Sequence, residues 1–137
     1  MVAVAVQDAG AWAVAADALD TAAALPAGEL DAESLLARLR VIAGLQARLA
    51  ALEAATLRAV DAREAYRHDQ APTTKAWLRH HLRLDPGDAA TRLVRARLVA
   101  ELPRFTAALA AGQVNAGHLD ALLKARRTLG PAPVQAA

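Results

Sequence analysis

Asp31–Tyr66 reads DAESLLARLRVIAGLQARLAALEAATLRAVDAREAY, and its spacing decides the fold. Leu35, Ile42, Leu49 and Thr56 recur at intervals of seven, and Leu45, Leu52, Ala59 and Tyr66 form a second heptad series offset by three. Such a sustained a/d pattern belongs to a helix with one apolar seam. The stretch has no proline and only Gly44 as a weak point, so it predicts one helix over about 31–66, about 50 Å long at the α-helical rise. Asp31 suits the N-cap, and Glu33 in the first turn favours the positive end of the helix dipole. A helix of that length needs a partner along its seam, in this chain or in a second one.

Composition outside the stretch agrees. Ala and Leu supply 60 of 137 residues, and only 3% are aromatic. Both residues lose little side-chain entropy in a helix, so the fold is read as all-α, a multi-helix bundle. Much of the apolar content is Ala, which buries little area, so a thinly packed core is expected. No cysteine is present, which excludes disulfides, thiol nucleophiles and Cys-based zinc or iron–sulfur sites.

Other helices follow from caps and breakers. Residues 11–24 read as an Ala-rich helix ended by Leu25-Pro26-Ala27-Gly28. Arg67–Pro72 reads as a loop, after which Thr73 caps a short helix. Asp85-Pro86-Gly87-Asp88 marks the next start, with Asp85 as cap and Pro86 at the first helical position. Pro103 opens a helix ending near Gly112, and Asn115 caps a last one to about Leu129, closed by Gly130-Pro131. The domain reading is an N-terminal helix and linker over 1–30, a helical domain over 31–130 and a tail over 131–137.

The N-terminal apolar stretch is interrupted by Asp8 and has no preceding Lys or Arg, unlike a secretory signal. It is also too short to span a membrane. A soluble, cytoplasmic protein without membrane partners is expected.

Charge is uneven. Residues 1–64 hold five Arg against nine acids, whereas residues 65–137 hold eleven Lys and Arg against five acids. Of the 16 cations 14 are Arg; a GC-rich genome is the plain reading of that bias, and an acidic partner, which the asymmetry also suits, is the other. The helices expected over about 73–101 form a helix-turn-helix-like pair. Lys75, Arg79 and Arg83 lie four apart on the first, and Arg92 and Arg95 share a face of the second. These five residues are the candidate nucleic-acid contacts, through three to six phosphates if all take part, as such affinity comes largely from phosphate contacts. The plainer reading is a solvated surface in which Asp88 and Arg92 form an ordinary i,i+4 pair. Arg97 falls nearer the apolar side, as an intramolecular partner or a snorkelling side chain.

Catalysis finds no support in the spacing. His80 and His81 are adjacent on a helix and diverge by about 100°, so they cannot chelate one metal together. One of them is expected to flank Trp77. Asn115–His118 reads as a capped helix start, and Trp12, Trp77 and Phe105 as core anchors. No catalytic residue, metal site or cofactor is assigned, and the chain is read as a non-enzyme.

The stretch from Leu49 through Leu129 resembles the helical family called domain of unknown function 222. Thr74–Leu78 gives T-x-x-W-L, Leu84–Ala89 gives L-x-P-G-x-A, Leu102-Pro103 follows, and Ala110–His118 gives A-x-G-x-[IV]-x-x-x-H. Order and spacing together carry the resemblance. It implies the N-terminal region of actinobacterial HNH-endonuclease-type proteins, whose metal-binding nuclease unit lies further downstream. After residue 129 this sequence has no His-Asn-His cluster, so no nuclease residue is carried over and the chain is expected to be a truncated or stand-alone module. Two functions follow as expectations. One is a non-catalytic module that helps contact DNA through the basic 73–101 region; the other is an interaction module pairing as a coiled-coil homodimer, or with a partner chain, through the 31–66 seam.

Overall fold

The computed structural model describes residues 8–129, which form six α-helices and two short 3-10 turns with no strand among them. The helices are α1 (Ala9–Ala23), α2 (Ala32–Ala62), α3 (Thr74–His81), α4 (Pro86–Glu101), α5 (Pro103–Ala110) and α6 (Ala116–Leu129). The expected all-α bundle is present. The Gly130-Pro131 stop and the 131–137 tail lie outside the described residues.

Each expected cap is made. The Asp31 carboxylate accepts the Ser34 N–H at 2.8 Å, Thr73 accepts that of Ala76 at 3.0 Å, and Asp85 accepts that of Asp88 at 2.8 Å. These bonds satisfy amide groups that a helix start otherwise leaves without partners. They hold the Asp31 and Asp85 carboxyls below their ordinary values, the backbone N–H of Ser34 and of Asp88 being the main cause. Before α6, Asn115 Oδ1 accepts the His118 N–H at 3.2 Å while His118 Nδ1 accepts the Asn115 N–H at 3.0 Å. This reciprocal pair is a capping box with histidine in the acid's place.

The long helix is shorter than its period suggests. α2 ends at Ala62, four residues before Tyr66, and a 3-10 turn occupies Ala65–Asp69 where a loop was expected from Arg67. Glu64 and Gln70 take left-handed backbone conformations (φ 51° and 63°) on either side of that turn. Tertiary bonds account for the early stop. The buried Thr74 hydroxyl donates to Asp61 at 2.9 Å, and Trp77 Nε1 donates to Asp69 at 2.8 Å. The first draws α3 back toward the end of α2 and the second ties it to the 3-10 turn, and such pairing outweighs the weak propensity to continue the helix.

Packing divides the chain between Leu39 and Arg40. The N-terminal unit holds α1, the turn at Ala27–Glu29 and the first residues of α2. No residue of α1 is buried. Trp12 is therefore not a core anchor; its indole N–H bonds Asp8 one turn earlier, and the helix presents no face to a core of its own. Arg38 donates to the Leu25 carbonyl at 2.9 Å and fixes the turn between α1 and α2.

The second unit contains the core. Leu57 of α2, Leu78 of α3, Leu98 and Val99 of α4, Leu102, Leu109 of α5 and Leu119 of α6 meet there. Ala47, Ala54, Ala89 and Ala96 are the remaining buried apolar residues among those described, so small side chains fill much of the core while contributing little area each. Trp77 and Phe105 pack half-buried at the edge of this core. Gly112 ends α5 at φ 76°, and a Cβ there would sit 3.2 Å from the Gly44 carbonyl oxygen.

Candidate functional site

α2 turns one narrow face inward and carries most of its large side chains outward. Ala47, Ala54 and Leu57 are buried against the core. Leu45, Leu49 and Leu52 each stand two positions from Ala47 or Ala54, about 200° around a helix of 3.6 residues per turn, so they occupy the opposite side. Ile42, Leu45, Leu49 and Leu52 are 41–53% exposed. Below them Thr56 donates its hydroxyl to the Leu52 carbonyl at 2.7 Å, which satisfies its polar atom within the helix. The heptad seam therefore exists, but the second unit does not use it as core. Tyr66 does not extend it, because α2 has already ended.

The five candidate nucleic-acid contacts separate into two groups. Arg92 is not paired with Asp88; its Nη1 reaches Glu53 of α2 at 2.7 Å. Arg95 holds Asp120 of α6 with Nε to Oδ1 at 2.9 Å and Nη2 to Oδ2 at 2.7 Å. Those bonds lower the Asp120 carboxyl below its ordinary value and raise the Arg95 guanidinium. A guanidinium fork spent on a carboxylate is not available to a phosphate without exchange. Lys75, Arg79 and Arg83 are exposed, and no ion pair among the described residues engages them. Arg83 follows α3 in a left-handed conformation, φ 55°.

Arg97 neither packs inward nor pairs with an acid among the described residues. It lines an open cleft of about 460 Å³ with Asp61, Tyr66, Thr74 and Lys75. His81 stacks on Trp77 with ring centroids 4.9 Å apart and planes 11° from parallel, while His80 meets His81 edge-on. His118 belongs to the α6 cap. Among the described residues no group of three or more His, Asp and Glu gathers as a metal site, and no helix is long and apolar enough to cross a membrane.

Glu53 and Asp120 are the functional neighbours that sequence reasoning missed. They stand 39 and 25 residues from their arginines, and no local spacing marks such pairs.

No curated protein and no solved structure matches the chain. The model of the family described as a domain of unknown function, DUF222, matches residues 36–137, which include the outward seam of α2, both groups of cations and the whole core, and the chain belongs to that family.

Proposed function

We propose that this chain is a non-catalytic docking module that presents the outer side of α2 to another polypeptide. One observation carries the reading: α2 buries Ala47, Ala54 and Leu57 and exposes Ile42, Leu45, Leu49 and Leu52. A contiguous apolar stripe in water is costly, and such stripes commonly mark interaction sites. His80, His81 and His118 already have structural duties in ring contacts and a helix cap, which supports a scaffold over an enzyme. The resemblance to proteins that continue into an HNH unit supports a place beside a nuclease region rather than nuclease activity in these residues.

Site-specific photocrosslinking tests this. With Leu49 replaced by p-benzoylphenylalanine in the full chain, a stoichiometric adduct to one identified polypeptide is expected. It should vanish when Leu45→Glu is added and be absent from the same probe at Arg104. An unreacted seam under native expression would overturn the reading.

A second reading, weak nucleic-acid contact, is favoured by the unpaired row Lys75, Arg79 and Arg83. With Arg92 and Arg95 already engaged, about three phosphate contacts are expected, so log affinity should fall with log salt at a slope near −3. Fluorescence anisotropy on labelled duplex DNA measures it. No binding at tens of micromolar protein in low salt removes this reading.

A further inference from the structure

Heptad positions on α2 bear on which polypeptide would occupy the seam. Ile42 and Leu49 stand at a, Leu45 and Leu52 at d, with Thr56 at the following a and Ala59 at the following d. Ile42 at a with leucine at both d positions is the combination that favours two parallel strands, while Leu49 at the second a is not β-branched, so the charges at the edges carry the choice of orientation. The edges of the seam carry charge. Arg48 lies at g and Glu53 at e of the next heptad, five residues on. In a parallel, in-register pair each g residue meets the following e residue of the other strand, so Arg48 of each copy would face Glu53 of the other.

The state of those two side chains suits the exchange. Arg48 is exposed and has no ion pair among the described residues. Glu53 gives Oε2 to Arg92, which leaves Oε1 to accept from a second guanidinium. An antiparallel arrangement of the same layers would instead bring Arg48 against Arg48 and Gln46 against Gln46, a like-charge contact with no compensating carboxylate. The usual obstacle to so short a coiled coil is the cost of forming its helices. Here α2 is already held as a helix by its buried face of Ala47, Ala54 and Leu57, and the outward leucines lie on the side away from that core.

We infer that the occupant is a second copy of this chain, paired through Ile42, Leu45, Leu49 and Leu52 as a parallel, in-register two-helix contact with Arg48–Glu53 pairs at its edges. This rests on the reading of the α2 seam as a docking surface. Two heptads bury less than a standard interface, so self-association with a dissociation constant of about 1–100 µM is expected.

The natural absence of cysteine gives a direct test on the full chain. Ile42→Cys and Leu49→Cys variants, each alone, should form disulfide dimers on mild oxidation, because in-register pairing sets each a residue against itself within bridging reach. Sedimentation of the unmodified chain should show concentration-dependent dimers. Leu45→Glu should weaken them at least tenfold and Arg48→Glu severalfold, with the far-ultraviolet spectrum unchanged because both positions are exposed. A disulfide forming only between Ile42→Cys and Leu52→Cys chains in mixture would mean antiparallel pairing and overturn the proposal. A monomer at hundreds of micromolar with no disulfide would also overturn it. The docking reading itself survives that second outcome if the photoprobe at position 49 still finds a different polypeptide, and falls if the probe finds none.

Discussion

Arg95 closes on Asp120 through two near-parallel hydrogen bonds of 2.9 and 2.7 Å, and this fork ties α4 to α6. Both side chains remain partly exposed, at 32% and 47%, so solvent screens the pair and its contribution is expected to be about 0.5–1 kcal/mol. Asp120→Asn should lower the melting temperature by a few degrees, and a double-mutant cycle with Arg95→Ala should return a coupling of that size.

The same pair has a pH signature. Hydrogen bonding to Arg95 lowers the folded-state pKa of Asp120, so its contribution is fully present above the unfolded value of about 3.9. It is lost as pH falls through the lower folded value. The difference in melting temperature between the unmodified chain and Asp120→Asn should therefore be constant near neutrality and shrink below about pH 4. A difference that stayed constant down to pH 2 would show that the carboxylate charge contributes nothing.

Two glycines that face each other should respond oppositely to alanine. Gly44 lies inside α2, and a Cβ there meets nothing within 4 Å. Gly44→Ala is expected to stabilise by up to about 1 kcal/mol through helix propensity. Gly112 sits at φ 76°, and its Cβ would press on the Gly44 carbonyl oxygen at 3.2 Å. Gly112→Ala should cost about 1 kcal/mol or more in backbone strain alone. Urea titration of both variants gives the signs.

Thr74 is the buried polar residue among those described, and its hydroxyl donates to Asp61. Thr74→Val keeps the shape and removes that bond. Asp61 is exposed and regains water, so the expected loss is about 1 kcal/mol rather than the larger cost of a stranded buried group.

Helix starts were legible in the residues because capping is local. Asp31, Thr73, Asp85 and Asn115 each act on an amide three residues away, within the reach of a sequence pattern. The end of α2 was not legible, since heptad spacing runs through Tyr66 while the stop depends on Thr74 bonding Asp61 across the connecting turn. Nor were the arginine partners. Spacing offers Asp88 to Arg92, one turn away, yet Arg92 takes Glu53 on another helix. The seam was visible as a pattern, but whether it faces inward depends on which side of α2 the core needs. Ala47, Ala54 and Leu57 of α2 are buried in the same cluster as Ala89 and Ala96 of α4, so that side faces inward.

That choice of side makes leucine truncation a sharp measurement. Leu109 is fully buried, and Leu109→Ala leaves a cavity as well as losing transfer energy, so a cost of about 2–5 kcal/mol is expected. Leu49 is 52% exposed on the outer side of the same unit. In dilute solution Leu49→Ala should change stability by no more than about 0.5 kcal/mol, since alanine also serves the helix well. Raising the protein concentration should alter only the second result. If a copy covers the seam, the unmodified chain gains melting temperature by mass action, and Leu49→Ala gains less. Equal concentration dependence in both chains would place the association elsewhere. A cost at Leu49 rivalling that at Leu109 in dilute solution would mean that the outer side of α2 is core after all.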